Sequence, residues 1–250
     1  MAGELAAIAD ARRSRETERD YGVAEAHLGD APFPDSVDLR RDWHPIADQG
    51  RTASCVGWTV ADSLVRWHLV EAGRLDPGEK LSARYVWMAA KEWFQRETFP
   101  STFLETDGTS LKAGLDVVRK FGVALESEFP WDGFVTKDYE VFNRDVRRRR
   151  IMAYYNLGLD AHEWRHWLHA SGPIAVLIKE DRHLHATDGD LDGFDHDSVT
   201  GSHAAALFGY GPDHFLLRSS WGTDWGDAGY ARMSNAYANA AIIESYGVMV

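Results

Sequence analysis

The sequence predicts an α+β protein, with helices concentrated in its first half and strands in its second. Three observations carry that reading. Apolar residues recur at helical spacing in three segments before residue 122. Short apolar runs bounded by Gly, Pro and Asp follow residue 172. Ten Trp and eleven Phe in 250 residues supply enough bulky apolar surface for a sizeable core, and the length suits one large domain or two lobes.

Residues 1–33 are charged and Ala-rich; they predict a helix over 2–19 and a loose connector ending at Pro32-Phe33-Pro34. They are read as an N-terminal extension or a short pro- or regulatory arm, and as the segment through which a binding partner is expected to engage. From Pro34 the texture is extended. A helix then starts at Ser54, where Trp58, Ala61, Leu64, Val65 and Leu69 share one face; Ser54 suits its N-cap and Gly73 its stop. Further helices are expected over 82–96 and over 110–121, with Gly122 behind the latter. The main domain spans 34–250, divided into a helical lobe (about 34–150) and a β-rich lobe (about 151–250). In the second lobe, 173–178 reads as a buried strand, and 204–210 and 214–218 read as a hairpin across Gly211-Pro212-Asp213. Strand material continues to about Met233. Two such lobes imply a cleft between them.

Acidic residues outnumber basic ones 39 to 27, for a net charge of −12, which argues against nucleic acid as partner. The run Arg147–Arg150 reads as a solvated helix end or linker rather than an anion-binding patch. No stretch of 18 apolar residues predicts a membrane span, and residues 1–20 lack the apolar core of a secretory signal. A single cysteine, Cys55, excludes internal disulfides and multi-cysteine metal sites, so a cytoplasmic location is expected.

Taken alone, Cys55 reads either as a small buried hydrophobe or as a nucleophile. Its place in the first turn of a helix suits the second, because the positive end of the helix dipole stabilises a thiolate, but does not by itself decide between them. Thiol catalysis also needs a base and donors for an oxyanion. Gln49, six residues earlier, offers an amide; the Cys55 backbone N–H offers a second donor; His203, at the start of an apolar strand, stands out among eleven histidines.

The segments Val37-Asp38-Leu39-Arg40, Pro45-Ile46-Ala47-Asp48-Gln49-Gly50 and Ala53-Ser54-Cys55 resemble the start of a mature papain-family cysteine peptidase. Ser202-His203-Ala204 to Gly209-Tyr210-Gly211, 148 residues beyond Cys55, resembles that family's histidine strand. Ser220-Trp221-Gly222-Thr223-Asp224-Trp225-Gly226 to Gly229-Tyr230 resembles its N-S-W-G-x-x-W-G-x-x-G-Y block. The resemblance, to a disulfide-free member of bacterial type, covers roughly residues 34–235. It implies the papain-like two-lobed fold, a peptide or protein substrate and no cofactor. It further implies Cys55 as nucleophile, His203 as general acid/base, Gln49 as oxyanion donor and Trp221 as the ring shielding the histidine. Gly108 falls where the family pairs a glycine ribbon with substrate backbone, with Thr109 in place of a second glycine, and Ser202 falls beside the substrate.

Two departures stand out. Ser219 occupies the place of the asparagine that orients the imidazole, so the third catalytic position is a shorter side chain. Val56 replaces a tryptophan. The departure at Ser219 leaves one alternative to peptide cleavage, a weak or inactive papain-fold binding protein; a further alternative, an acyl transferase or deamidase, uses the same dyad with another acceptor. Two further motifs compete. His162-Glu163-Trp164-Arg165-His166 matches H-E-x-x-H, but the projection sets His162, His166 and His169 opposite Trp164, Trp167 and Leu168, so the histidines are expected in solvent and no metal site is assigned. Asp188-Gly189-Asp190-Leu191-Asp192-Gly193 opens like a calcium loop, but its twelfth position is Val199; it reads as a solvated acidic loop on the rim of the cleft.

Overall fold

A computed structural model describes residues 11–29, 32–95, 108–133, 135 and 137–250. Its frame is one long helix laid against one twisted sheet. The helix opens with α1 (Cys55–Trp58), continues through a π-helical stretch (Thr59–Arg66) and ends as α2 (Trp67–Glu71), with Gly73 at a positive φ of 66° closing it. The expected single apolar face understates it. Every residue from Thr59 to Arg66 is buried, Asp62 and Arg66 included, and these two satisfy each other through a 3.0 Å hydrogen bond. Beside it lie α3 (Ala83–Gln95), α4 (Leu111–Lys120) and α5 (Tyr139–Arg147). Ser110 caps α4 by accepting from the Ala113 N–H at 3.3 Å. Gly122 ends that helix at φ 98°, and a Cβ there would lie 2.1 Å from the Val146 carbonyl oxygen.

The sheet gathers strands from the whole chain: β1 (Val37–Asp38), β2 (Ala153–Asn156), β3 (Ile174–Glu180), β4 (Asp190–Leu191), β5 (Gly201–Tyr210), β6 (His214–Arg218), β7 (Tyr230–Ser234) and β8 (Ile242–Met249). Their order is β2-β8-β3-β5-β6-β7-β4, with β1 on β5; all pairs are antiparallel except β4–β7. Helices α6 (Ala161–Ala170), α7 (Arg182–Ala186) and α8 (Asn235–Ala241) complete this lobe. The β5–β6 hairpin and the 174–178 strand match the sequence expectation. The last strand, β8, sits between β2 and β3 and was not foreseen. Residues 37–49, read with the helical lobe, pair instead with the sheet: Leu39 N donates to Phe208 O at 2.9 Å and Gln49 N to Ser220 O at 2.8 Å.

The helix expected over 2–19 does not form across its described part, 11–19, which holds only a 3₁₀ turn at Thr17–Arg19. The backbone there bonds to the body of the protein rather than to itself. Arg12 N donates to Thr109 O at 2.9 Å, Ser14 N to a Glu244 carboxylate oxygen at 2.7 Å, and Lys112 Nζ to Glu16 O at 2.7 Å. These tertiary partners outweigh a charged sequence whose helical propensity is only a weak prior. Residue 96, the end expected for the second helix, lies outside the described residues. Among the described residues, no helix is long and apolar enough to cross a membrane.

Candidate active site

Cys55 opens the long helix and is buried, with Ser54 at the N-cap position. The expected side-chain cap is absent: the Ser54 hydroxyl pairs with Thr52 Oγ1 at 2.6 Å instead. Thr52 Oγ1 donates to Gln49 O and Thr52 O accepts from Gln49 Nε2, both at 2.8 Å, so the turn 49–54 is stitched to itself just before the thiol. Gln49 Oε1 accepts from Ser220 Oγ at 2.7 Å. Its amide is thereby fixed in orientation, with one of its two hydrogens spent on Thr52 O.

The helix packs against β5, and His203 is the third residue of that strand. Its ring is buried, and Nε2 lies 3.2 Å from Ser219 Oγ, so the serine does reach the imidazole despite its short side chain. Trp221 covers the ring at a centroid distance of 4.2 Å and also stacks on His185 at 5.2 Å. Burial, reinforced by the positive field of His185, pushes the His203 imidazole down to about 3. Gln49, His203, Ser219 and Trp221 are thus brought together across the joint between the helix and the sheet, because Ser219-Ser220-Trp221 leaves β6 beside both β5 and the 48–49 segment.

Gly108, Thr109 and Ser202 meet at the N-terminal arm. Ala11 N donates to Ser202 O at 3.2 Å, Ser202 Oγ donates to Ala11 O at 2.9 Å, and residue 12 bridges to Ser110 beside buried Gly108 and Thr109. The arm therefore occupies backbone groups of both residues flanking the site.

Two site residues escaped the sequence reading. Glu180 is buried with Oε1 3.9 Å from His203 Nδ1, and His185 Nε2 lies 3.4 Å from its other oxygen. Strand alternation alone predicts that Ile178 and Glu180 share a face, but that His203 faces them follows only from the β3–β5 register.

The competing motifs resolve on geometry. His162 is exposed and meets Phe33 edge-on, His166 stacks on the same ring, and Trp164 and Trp167 are buried, as the projection predicts. In the acidic loop, Asp195 bonds to the Asp197 N–H at 3.1 Å and pairs with Arg182 at 2.9 Å. Among the described residues, no three His, Cys, Asp or Glu side chains converge as a metal-ion cage. The arginine run is not uniformly solvated. Arg149 turns inward to Glu128 and Val123 O, whereas Arg147, Arg148 and Arg150 join Arg74 and Arg119 around an open cavity of about 500 Å³.

The sequence model of the papain family cysteine proteases matches residues 33–250. This chain belongs to that family. Papain from Carica papaya is 24% identical over 236 residues, covering 88% of this chain and 59% of papain. A cathepsin L-like proteinase from Fasciola hepatica is 22% identical over 220 residues, covering 85% of this chain and 64% of its own length. The chain thus spans less than two thirds of these relatives. Among solved structures, xylellain, a cysteine protease from Xylella fastidiosa, superposes with a TM-score of 0.78 at 18% identity, over 98% of this chain and 96% of that one. The papain-like fold is shared throughout.

Proposed function

We propose that this papain-family chain is a cysteine peptidase that cleaves peptide bonds through a thioester on Cys55. The observation that carries the reading is a shielded imidazole: His203, held by Ser219 and covered by Trp221, on a strand packed against the helix that begins at Cys55. Family membership and the ordered Gln49, Cys55, His203 and Trp221 set support it.

The chemistry follows from these groups. Nε2 of His203 is engaged by Ser219, which leaves Nδ1 to take the proton from Cys55 Sγ. The thiolate adds to the substrate carbonyl, and the oxyanion is met by the second Gln49 amide hydrogen and the Cys55 backbone N–H. His203 returns the proton to the leaving amine as the C–N bond breaks, giving the thioester. It then takes a proton from water, whose hydroxide adds to the thioester, and Cys55 leaves as the thiol. Because burial favours the neutral ring, the dyad rests as thiol and imidazole unless a nearby negative charge holds the imidazolium.

The arm supports regulation at the same site. Its hydrogen bonds to Ser202 and Thr109 use groups that the family resemblance assigns to substrate, so residues 11–16 compete with a bound peptide. Ser219 favours one second reading, a binding protein with little turnover. Acyl transfer or deamidation would use the same dyad, with an amine or a side-chain amide in place of water or peptide.

An epoxide or vinyl-sulfone probe of cysteine peptidases should add to Cys55 at neutral pH, detected by intact mass, and Cys55→Ala should abolish the adduct and all cleavage of a peptide library. Absence of the adduct in the unaltered chain overturns the peptidase reading. An adduct without cleavage selects the second.

A further inference from the structure

Glu180 ends β3 with its side chain only 1% exposed, and neither carboxylate oxygen accepts a hydrogen bond of good geometry. A buried carboxylate in that condition is costly and calls for a cause. Its surroundings supply one. Ile178 pairs with His203 and Glu180 with Gly201, so Glu180 stands on the sheet face that carries the imidazole, one step along. One oxygen lies 3.9 Å from His203 Nδ1 and the other 3.4 Å from His185 Nε2, and both rings lie against Trp221.

The other charged and titratable groups around His203 are accounted for element by element. Cys55 opens α1, which packs on β5, His185 comes from α7, and the arm sets Ala11 on Ser202 with Arg12 bonding onward to Thr109. Asp181 spends its oxygens on Leu184 N, Tyr237 OH and Asp195 N, at 2.9, 2.5 and 2.8 Å. Arg218 on β6 is committed to Asp62, which also holds Arg66, and Asp38 on β1 is committed to Arg40. Among the described residues, Glu180 is the carboxylate within 3.9 Å of both imidazoles.

We propose that Glu180 is a positioning residue whose charge, shared between His203 and His185, holds the proton on His203 during thiol chemistry in a chain that carries Ser219 at the family's asparagine position. At 3.9 Å the carboxylate acts through its field rather than through a hydrogen bond, which leaves Nδ1 open to the proton of Cys55. A serine hydroxyl orients the ring but carries no charge; the carboxylate supplies negative charge that opposes burial and the positive field of His185. The inference rests on the peptidase reading, and its test separates the two.

The test is a histidine Cε1 NMR titration of the full chain carrying Cys55→Ala, with and without Glu180→Gln, with the two rings assigned from His203→Gln and His185→Gln variants. The midpoints of both His203 and His185 should fall by about one pH unit on loss of the carboxylate. In the chain with Cys55 intact, Glu180→Gln should move the alkaline limb of kcat/KM down by about the same amount and lower kcat about tenfold with KM little changed. Ser219→Asn should recover part of that loss. Should Glu180→Gln fail to fold by circular dichroism, Glu180→Asp serves, with a smaller shift of the same sign. An unmoved His203 midpoint overturns the proposal. If the unaltered chain takes no iodoacetamide on Cys55 at neutral pH, the peptidase reading falls, while the titration still decides whether Glu180 sets the protonation of His203.

Discussion

Ser219 reaches His203 Nε2 at 3.2 Å inside a site from which bulk water is largely excluded. Removing its hydroxyl leaves a buried ring nitrogen unpaired and the imidazole free to turn. Ser219→Ala is therefore expected to lower kcat about tenfold, with KM changed less than twofold, a loss of about 1.4 kcal/mol of transition-state stabilisation, checked by steady-state kinetics on a peptide substrate. At this scale much of the site was legible in the sequence. Gln49, Cys55, His203 and Trp221 lie in short segments with distinctive neighbours, and helix and strand periodicity placed two of them on regular elements. Glu180 was not legible, because it stands 23 residues before His203 and meets it only through strand register. The hydroxyl of Ser54 was misread as a cap because the Thr52 hydroxyl, two residues away, captured it.

At the scale of elements, the thiol-bearing helix is held by close backbone approach. Gly57 sits where a Cβ would lie 2.3 Å from Ala83 O and 2.9 Å from Trp87 Cβ, so α1 packs on α3 without room for a methyl group. Gly57→Ala is expected to destabilise the fold by about 2 kcal/mol or more and to slow modification of Cys55, measured by urea unfolding and probe-labelling rate. The N-terminal arm is the opposite case, an element held mainly by hydrogen bonds to Ser202, Thr109 and Glu244 and by the Lys112 ion pair with Asp20 at 2.5 Å. Deleting residues 1–20 should raise the rate at which a peptide-like electrophile labels Cys55 severalfold; an unchanged rate would mean that the arm does not compete with substrate. Propensity misled on this arm because its backbone donors found partners in distant segments, at Ser202, Thr109 and Glu244, a result that no local pattern encodes.

For the molecule as a whole, the helix and the sheet are clasped by buried charge. Arg218 on β6 bonds to Asp62 on the central helix at 2.9 Å, to Pro45 O at 2.8 Å and to Tyr230 OH at 2.9 Å, while Asp62 also holds Arg66. Burial alone would raise the Asp62 carboxyl, but the His44 contact and the Arg218 and Arg66 charges outweigh it and hold it well below the usual range. Asp62→Ala strands two buried guanidinium groups and should cost about 3–5 kcal/mol, read from the shift in unfolding midpoint. Acid should weaken the same core. Burial pushes His68 down to about 4 from an ordinary value of 6.5, so the unfolded chain binds a proton that the folded chain refuses. That contribution is complete above pH 6.5 and is lost as pH falls towards 4. Between pH 7 and pH 5, His68 alone should remove about 2 kcal/mol, a loss that His68→Gln should abolish in urea titrations at the two pH values.

The sequence by itself determined the three helices of the first half, the 174–178 strand and the β5–β6 hairpin, the thiol at a helix start and the residues that resemble a papain-family site. These follow from local periodicity, turn chemistry and short motifs, in which each residue is read against near neighbours. Only the tertiary structure decided that β8 would lie inside the sheet, that the arm would bond to Thr109, Ser202 and Glu244 rather than coil, that the central helix would be buried on every side from Thr59 to Arg66, and that Glu180 would face His203. Each depends on contacts between segments far apart in the chain, where burial and hydrogen bonding are set by what packs opposite rather than by what comes next.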